Sequence, residues 1–157
     1  IRMENGEANQ ITQYKMNLMD LNQENIQIPP LEFESVITLP SSNFQKICRD
    51  MFNLSDNIEI TTFGEQITFK CKGDIADQET SIGQSNSGGM NCVQNENSNE
   101  IIQGMFSLKY LVLFTKCTNL SSTIELYLKN DYPLIIRYQV ANLGEVKLCL
   151  APISIHD

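Results

Sequence analysis

The order strand, helix, three strands occurs twice in this chain, and few folds accommodate it. Residues 34–39 alternate apolar and polar side chains, the period of a half-buried strand. Pro40-Ser41-Ser42 breaks that strand and offers a helix N-cap. Within 41–54, Phe44, Ile47, Cys48 and Met51 fall at i, i+3, i+4 and i+7, one apolar face of an amphipathic helix. Strands are predicted over 58–63, 67–72 and 75–82, with corners at Gly64 and Gly73. The order then recurs. A strand over 100–105 leads to a helix over 107–117, with Leu108, Tyr110, Leu111 and Phe114 inward. Strands follow over 123–128, 134–140 and 146–150, separated by turns at 129–133 and 142–144. Sheets apolar on one face must bury it on the helices and on each other, which gives an α+β class with repeated units 35–83 and 100–152.

Two stretches stand outside the repeat. Residues 84–99 are nearly all turn formers and polar side chains and are predicted to form a mobile surface loop. Residues 1–18 read as a hairpin, with 14–18 alternating like a strand and 1–4 as its partner. Residues 19–34 contain Pro29-Pro30 and little periodicity, as expected of an extended linker. Its apolar side chains Ile26 and Ile28 suit either core contacts or a docking groove.

Charge is distributed unevenly over this pattern. The chain of 157 residues has a net charge of −8, with eleven Lys and Arg against nineteen acids. Four of the eleven lie on the two helical segments: Lys46 and Arg49 opposite the apolar face of the first, Lys109 and Lys116 on the second. Leu113 projects between the latter two. An acidic protein that gathers cations on two equivalent helices directs a local field against its own net charge, which suits a polyanion on one face.

The composition argues against other classes. An apolar fraction of 41% with 19% charged residues is that of a folded protein. No apolar run is long enough to span a bilayer, so no membrane partner is expected. The five cysteines form no CxxC and are read as reduced, mostly core-filling thiols. The single histidine, His156, is near the last residue. With no Cys–His pair, Gly-rich phosphate loop or metal-spaced cluster, no catalytic residue, metal or cofactor is assigned and the chain is not read as an enzyme.

Several motifs, in order along the chain, carry a resemblance. They are Tyr14-Lys15-Met16-Asn17-Leu18-Met19-Asp20-Leu21, Phe44-Gln45-Lys46-Ile47-Cys48-Arg49-Asp50, Leu108-Lys109-Tyr110-Leu111, the run from Phe114 to Thr123, and Leu150-Ala151-Pro152. Together they resemble the eukaryotic-type DNA sliding clamp, the proliferating cell nuclear antigen family. The resemblance covers the last hairpin of a first domain (1–18), the interdomain linker (19–34) and the C-terminal clamp domain (35–157). The rest of the first domain is expected to lie outside this sequence.

The resemblance implies a processivity factor, a ring of three subunits around double-stranded DNA. Its helices would line the hole and its sheets would form the outer wall. Lys46, Arg49, Lys109 and Lys116 would then face DNA, in contacts independent of sequence. Clients would be DNA polymerase and other replication and repair proteins, docking by a peptide with one aliphatic and two aromatic anchors, and a clamp loader would also bind. The peptide pocket maps to Ile26, Ile28, Pro29, Phe33, Tyr132, Pro133, Cys149, Ala151 and Pro152. Subunit contacts map to edge strands over 11–18 and 75–82, marked by Ile11, Tyr14, Met16, Leu18, Ile75 and Ile82. The implied location is the nucleus, or a viral replication site in the cytoplasm. Three departures from cellular members are expected to matter: Cys149 and Ile153 stand where Tyr and Lys are usual, and Gly64 stands where many have a modifiable Lys. A divergent protist or viral source fits these, as does the Asn and Ile richness. Two other readings remain: a checkpoint- or repair-type clamp without a polymerase role, and a structural β-rich assembly protein.

Overall fold

A computed structural model describes residues 2–5, 10–13, 15, 33, 35–84, 89–94 and 100–153. They fall into two units. Within Ile1–Leu31 the described structure is one hairpin, β1 (Arg2–Asn5) with β2 (Gln10–Gln13), antiparallel with Arg2 opposite Gln13. The partner of the first strand is thus 10–13 rather than 14–18. Tyr14, Met16, Leu18, Ile26, Ile28 and Pro29 lie outside the described residues.

The second unit, Glu32–Asp157, holds the repeat. Its first half is β3 (Ser35–Pro40), α1 (Ser41–Phe52), β4 (Asn57–Phe63), β5 (Gln66–Lys72) and β6 (Asp77–Gly83). A short strand β7 (Asn91–Gln94) follows. The second half is β8 (Ile102–Ser107), α2 (Leu108–Phe114), a 3-10 helix (Thr115–Leu120), β9 (Thr123–Leu128), β10 (Leu134–Val140) and β11 (Gly144–Leu150).

The two halves exchange their first strands. The sheet orders are β11-β10-β9-β3-β7 and β6-β5-β4-β8, with every pairing antiparallel. The strand that opens the first half therefore completes the sheet of the second, and the reverse. The order strand, helix, three strands occurs in both halves, but neither half closes its own sheet. Both sheets and both helices share one core, in which Ile37, Leu39, Phe44, Met51, Ile58, Ile60, Phe69, Leu111, Leu126, Ile136 and Tyr138 are buried. The α1 face Phe44, Ile47, Cys48 and Met51 is buried as the spacing requires. Phe44 meets Phe69 of β5 with ring centroids 6.0 Å apart. Burial pushes the Cys48 thiol up to about 12, so it stays protonated.

Three predicted elements differ notably from the structure. Residues 84–99 are not all loop: β7 pairs with β3, Val36 opposite Val93, and Met90 beside it is buried. A four-residue strand with Asn and Gln at its ends carries too little periodicity to be read. Ile75 lies outside β6 and is 97% exposed. Gly73 donates to the Ala76 carbonyl at 3.2 Å, so the chain is still turning at 75. The second helix loses its α form at Thr115. The Thr115 hydroxyl donates to the Val112 carbonyl at 2.8 Å and the Thr118 hydroxyl to the Thr115 carbonyl at 2.6 Å. These bonds reach three residues back and accompany the tighter 3-10 winding. Tyr110 points outward, 49% exposed, because α2 buries only Leu108 and Leu111 and a residue two after Leu108 faces away from them.

Gly64 turns the β4–β5 hairpin at φ 56°, in the left-handed region. A lysine there would strain this turn, which gives the absence of a modifiable side chain at this corner a backbone reason.

Candidate nucleic-acid and peptide interfaces

The first candidate surface is the helix layer. α1 packs beside α2 and the 3-10 helix. Two contacts fix them: the Gln45 side-chain amide donates to the Thr115 carbonyl at 2.9 Å, and the Ser41 amide donates to the Ser122 carbonyl at 3.0 Å. The Ser41 hydroxyl donates to the Ser121 carbonyl, so the predicted capping serine ties the start of α1 to the segment after the 3-10 helix instead of capping α1. With Phe44, Ile47, Cys48 and Met51 turned inward, Lys46 and Arg49 stand on the exposed side of α1. Lys109 and Lys116 are exposed on the neighbouring pair.

Among the described residues, the electrostatics of this layer are one-sided. Asp50 is its only acid, and it pairs with Lys46 at 3.3 Å as an exposed i, i+4 neighbour. Such a pair contributes little and opens readily. Lys109 Nζ lies 6.0 Å from the centroid of the Tyr110 ring. Arg49 and Lys116 make no ion pair with a described residue. Phe52, Tyr110, Leu113 and Leu120 are also exposed here, so the layer is basic with apolar interruptions, and Leu113 separates Lys109 from Lys116 as the sequence indicated.

The second candidate surface is one end of the five-stranded sheet's outer face. Cross-strand register places Val36, Tyr127, Ile135 and Cys149 in a row across β3, β9, β10 and β11. Phe33 sets its ring edge-on to Tyr127, centroids 5.3 Å apart at 67°. Ile135 faces outward but is only 7% exposed, so its neighbours already wall it in. The β9–β10 turn brings Tyr132 and Pro133 to this end, with Lys129 Nζ 5.1 Å from the Tyr132 ring centroid. Cys149 and Ala151 are exposed and Pro152 half-buried. The predicted pocket residues that can be placed, Phe33, Tyr132, Pro133, Cys149, Ala151 and Pro152, therefore gather around this row. Sequence reasoning missed its centre, Tyr127 and Ile135. Their strand alternation was visible, but which outward residues meet across strands depends on register.

Three hydrogen bonds brace this end against the other sheet. The Gln103 amide donates to Asn130 Oδ1 at 2.9 Å, and Asn130 Nδ2 donates to the Ile101 carbonyl at 3.1 Å. The Ile153 amide donates to the Met105 carbonyl at 2.8 Å. The turn and the C-terminal segment thus cover the free edge of β8. The edge of β6 has no such cover among the described residues. Ile82, one of the predicted interface residues, turns its side chain to the core, so β6 would offer its backbone there rather than that side chain. Ile11 is exposed on β2.

Beside the apolar row runs a charged one: Glu125, Arg137 and Lys147, directly opposite one another. Arg137 donates to Glu125 at 2.8 Å, Glu145 at 2.6 Å and Gln139 at 2.9 Å. The Tyr127 hydroxyl donates to Glu125 at 2.5 Å, and Lys147 pairs with Glu145 at 2.8 Å. Partial burial by itself would raise the Glu125 pKa, but hydrogen bonds from Tyr127 and Arg137 outweigh it and hold the carboxyl below its ordinary value. The Glu145 carboxyl is held down by Lys147 and then Arg137. Partial burial and the bond to Glu125 push the Tyr127 hydroxyl up.

Two antiparallel sheets over a paired helix layer, built from one motif used twice with its first strands exchanged, define a DNA-clamp domain. The family model for the proliferating cell nuclear antigen, C-terminal domain, matches residues 27–153, and the chain belongs to that family. It is similar to the probable DNA polymerase sliding clamp 1 of Paramecium bursaria Chlorella virus 1, 37% identical over 157 residues. The match covers 98% of this chain and 58% of that relative, so the chain spans less than two thirds of its length.

Proposed function

We propose that this chain is part of a sliding clamp that encircles duplex DNA and acts as a processivity factor for a DNA polymerase. The observation that carries the reading is the helix layer: four exposed cations and one acid in a protein of net charge −8. Cations on helix sides neutralise phosphates without reading bases, so they hold DNA and still let it slide. The role needs no chemistry of its own. Lys46, Arg49, Lys109 and Lys116 face the DNA. The row around Tyr127 and Ile135, with Phe33, Tyr132, Pro133, Cys149, Ala151, Pro152 and the linker residues Ile26, Ile28 and Pro29, receives client peptides. An apolar floor suits aliphatic and aromatic anchors.

Ring closure joins the edge of β6 to the segment 11–18 of a neighbouring subunit, in a homotrimer opened by a clamp loader. An uncovered seven-residue edge supports this, because such an edge is a liability until paired. The clamp works where DNA is replicated, in a nucleus or at a viral replication site in the cytoplasm; the chlorella-virus relative supports the viral setting. A role confined to checkpoint or repair clamping has less support, since that relative is named for a DNA polymerase.

The test is charge reversal at Lys46, Arg49, Lys109 and Lys116 together, in the intact protein. Polymerase stimulation on primed DNA is expected to vanish while client-peptide binding persists. Unchanged processivity would overturn the DNA-facing assignment.

A further inference from the structure

We propose that Tyr127 determines which peptides the pocket accepts, and that Glu125 and Arg137 hold its ring in place before a peptide arrives. This rests on the peptide-pocket reading above. Tyr127 stands in the middle of the apolar row, opposite Val36 on one side and Ile135 on the other. It is the row's only aromatic side chain and the one that also touches the charged row. Its hydroxyl donates to Glu125 at 2.5 Å, two residues back on the same strand, which draws the ring down along the sheet. Glu125 is itself fixed by Arg137 at 2.8 Å, and Arg137 is anchored on its far side by Glu145 at 2.6 Å. A tyrosine on an open sheet face would normally sample several rotamers. Here the bound hydroxyl and the Phe33 contact remove that freedom in advance, and the peptide does not have to supply it.

The chemistry of the ring defines the preference. Phe33 already meets it edge-on, the geometry in which the positive edge of one ring meets the negative face of the other. A peptide aromatic anchor entering over Ile135 meets a fixed aromatic wall, whereas an aliphatic anchor meets only apolar area. The adjoining row, with Arg137 and Lys147 against Glu125 and Glu145, is neutral within itself. It therefore adds no net charge with which to select an acidic or basic peptide at this point, and leaves discrimination to the ring.

The emission of a tryptophan anchor, read as the difference from protein without peptide, reports the anchor's environment, and this chain adds no tryptophan of its own. Two client-type peptides are titrated into the intact protein, one with Trp and one with Leu at the anchor, each with a distal dye for affinity. Wild-type protein is expected to favour Trp and to shift its emission to the blue. Tyr127→Ala should weaken the Trp peptide by about tenfold and the Leu peptide by about twofold, erasing most of the preference. Tyr127→Phe keeps the ring and loses its tether, and should fall between. For positioning, Glu125→Ala should lower the preference while Glu125→Gln, whose amide oxygen still accepts from the hydroxyl, restores most of it; a merely stabilising role would not give that rescue. If wild type binds both peptides and Tyr127→Ala keeps the Trp preference, the assignment to Tyr127 is wrong and the pocket stands. If wild type binds neither peptide, the pocket reading falls and this inference with it.

Discussion

The helix layer and the outer face of the five-stranded sheet use the same cations in opposite ways. On the sheet, Arg137 and Lys147 are held among Glu125, Glu145, Gln139 and the Tyr127 hydroxyl. On the helices, Arg49 and Lys116 pair with no acid among the described residues, and Lys46 pairs with Asp50. Strand geometry explains part of the difference. Residues directly opposite on paired strands stand about 5 Å apart, so opposite charges placed there can meet, as Arg137 and Glu125 do. On a helix, pairing requires an acid three or four residues away, and the layer supplies one. Among the described residues of the outer sheet faces, Lys70 is likewise paired with Glu79 at 3.0 Å, and Lys72 is the cation left over. Cations on the sheets therefore contribute mainly cohesion, and cations on the helices contribute field.

That contrast can be broken at several points. The largest effect is expected in salt dependence. Alanine at Lys46, Arg49, Lys109 and Lys116 should reduce the slope of log affinity for duplex DNA against log salt by up to about four per chain. Alanine at Arg137 should leave that slope unchanged; a comparable loss there would erase the distinction. The reverse holds for stability. Arg137→Ala leaves Glu125 with the Tyr127 hydroxyl and Glu145 with Lys147, and should cost up to about 1 kcal/mol in urea unfolding because solvent reaches the network. Each helix-layer alanine should cost less than about 0.5 kcal/mol.

A third effect is in acid. The folded protein holds Glu125 and Glu145 below their ordinary carboxyl values. A depressed carboxyl contributes stability above its unfolded pKa, about 4.3 for Glu, and loses it as pH falls through the folded value. Stability measured from neutral pH downward should therefore drop in the acid range, and Arg137→Ala should flatten that limb. An identical limb in both proteins would remove the network from the account. The smallest effect belongs to Asp50. Asp50→Ala should tighten DNA binding about twofold at low salt by freeing Lys46, with a stability change below about 0.5 kcal/mol. Weaker binding would mean that Asp50 orients Lys46 rather than competing for it.

Legibility from sequence followed the locality of the cause. β9 and β10 have the bounds read from alternation, and the buried face of α1 is the one its spacing gave. Tyr110 and the early end of α2 were misread because aromatic character suggested burial and because threonine hydroxyls shift the winding without altering apolar periodicity. β7 was hidden in a polar stretch whose only apolar residues near it are Met90, Cys92 and Val93. The four cations were evident from charge alone. The row through Tyr127 and the bonds around Arg137 were not, because they depend on which strands pair and in what register. The same limit concealed the exchange of β3 and β8, since each joins a sheet whose other long strands lie in the opposite half of the sequence.

That exchange has a mechanical side. Each half of the repeat lacks one strand of its own sheet and finds it only in the other half. The joint lies between β7 and β8. A chain severed there should keep its halves together without a covalent link, and two fragments ending and beginning at that point should reassemble when mixed. A domain built this way has no half that can peel off while the other keeps its sheet complete.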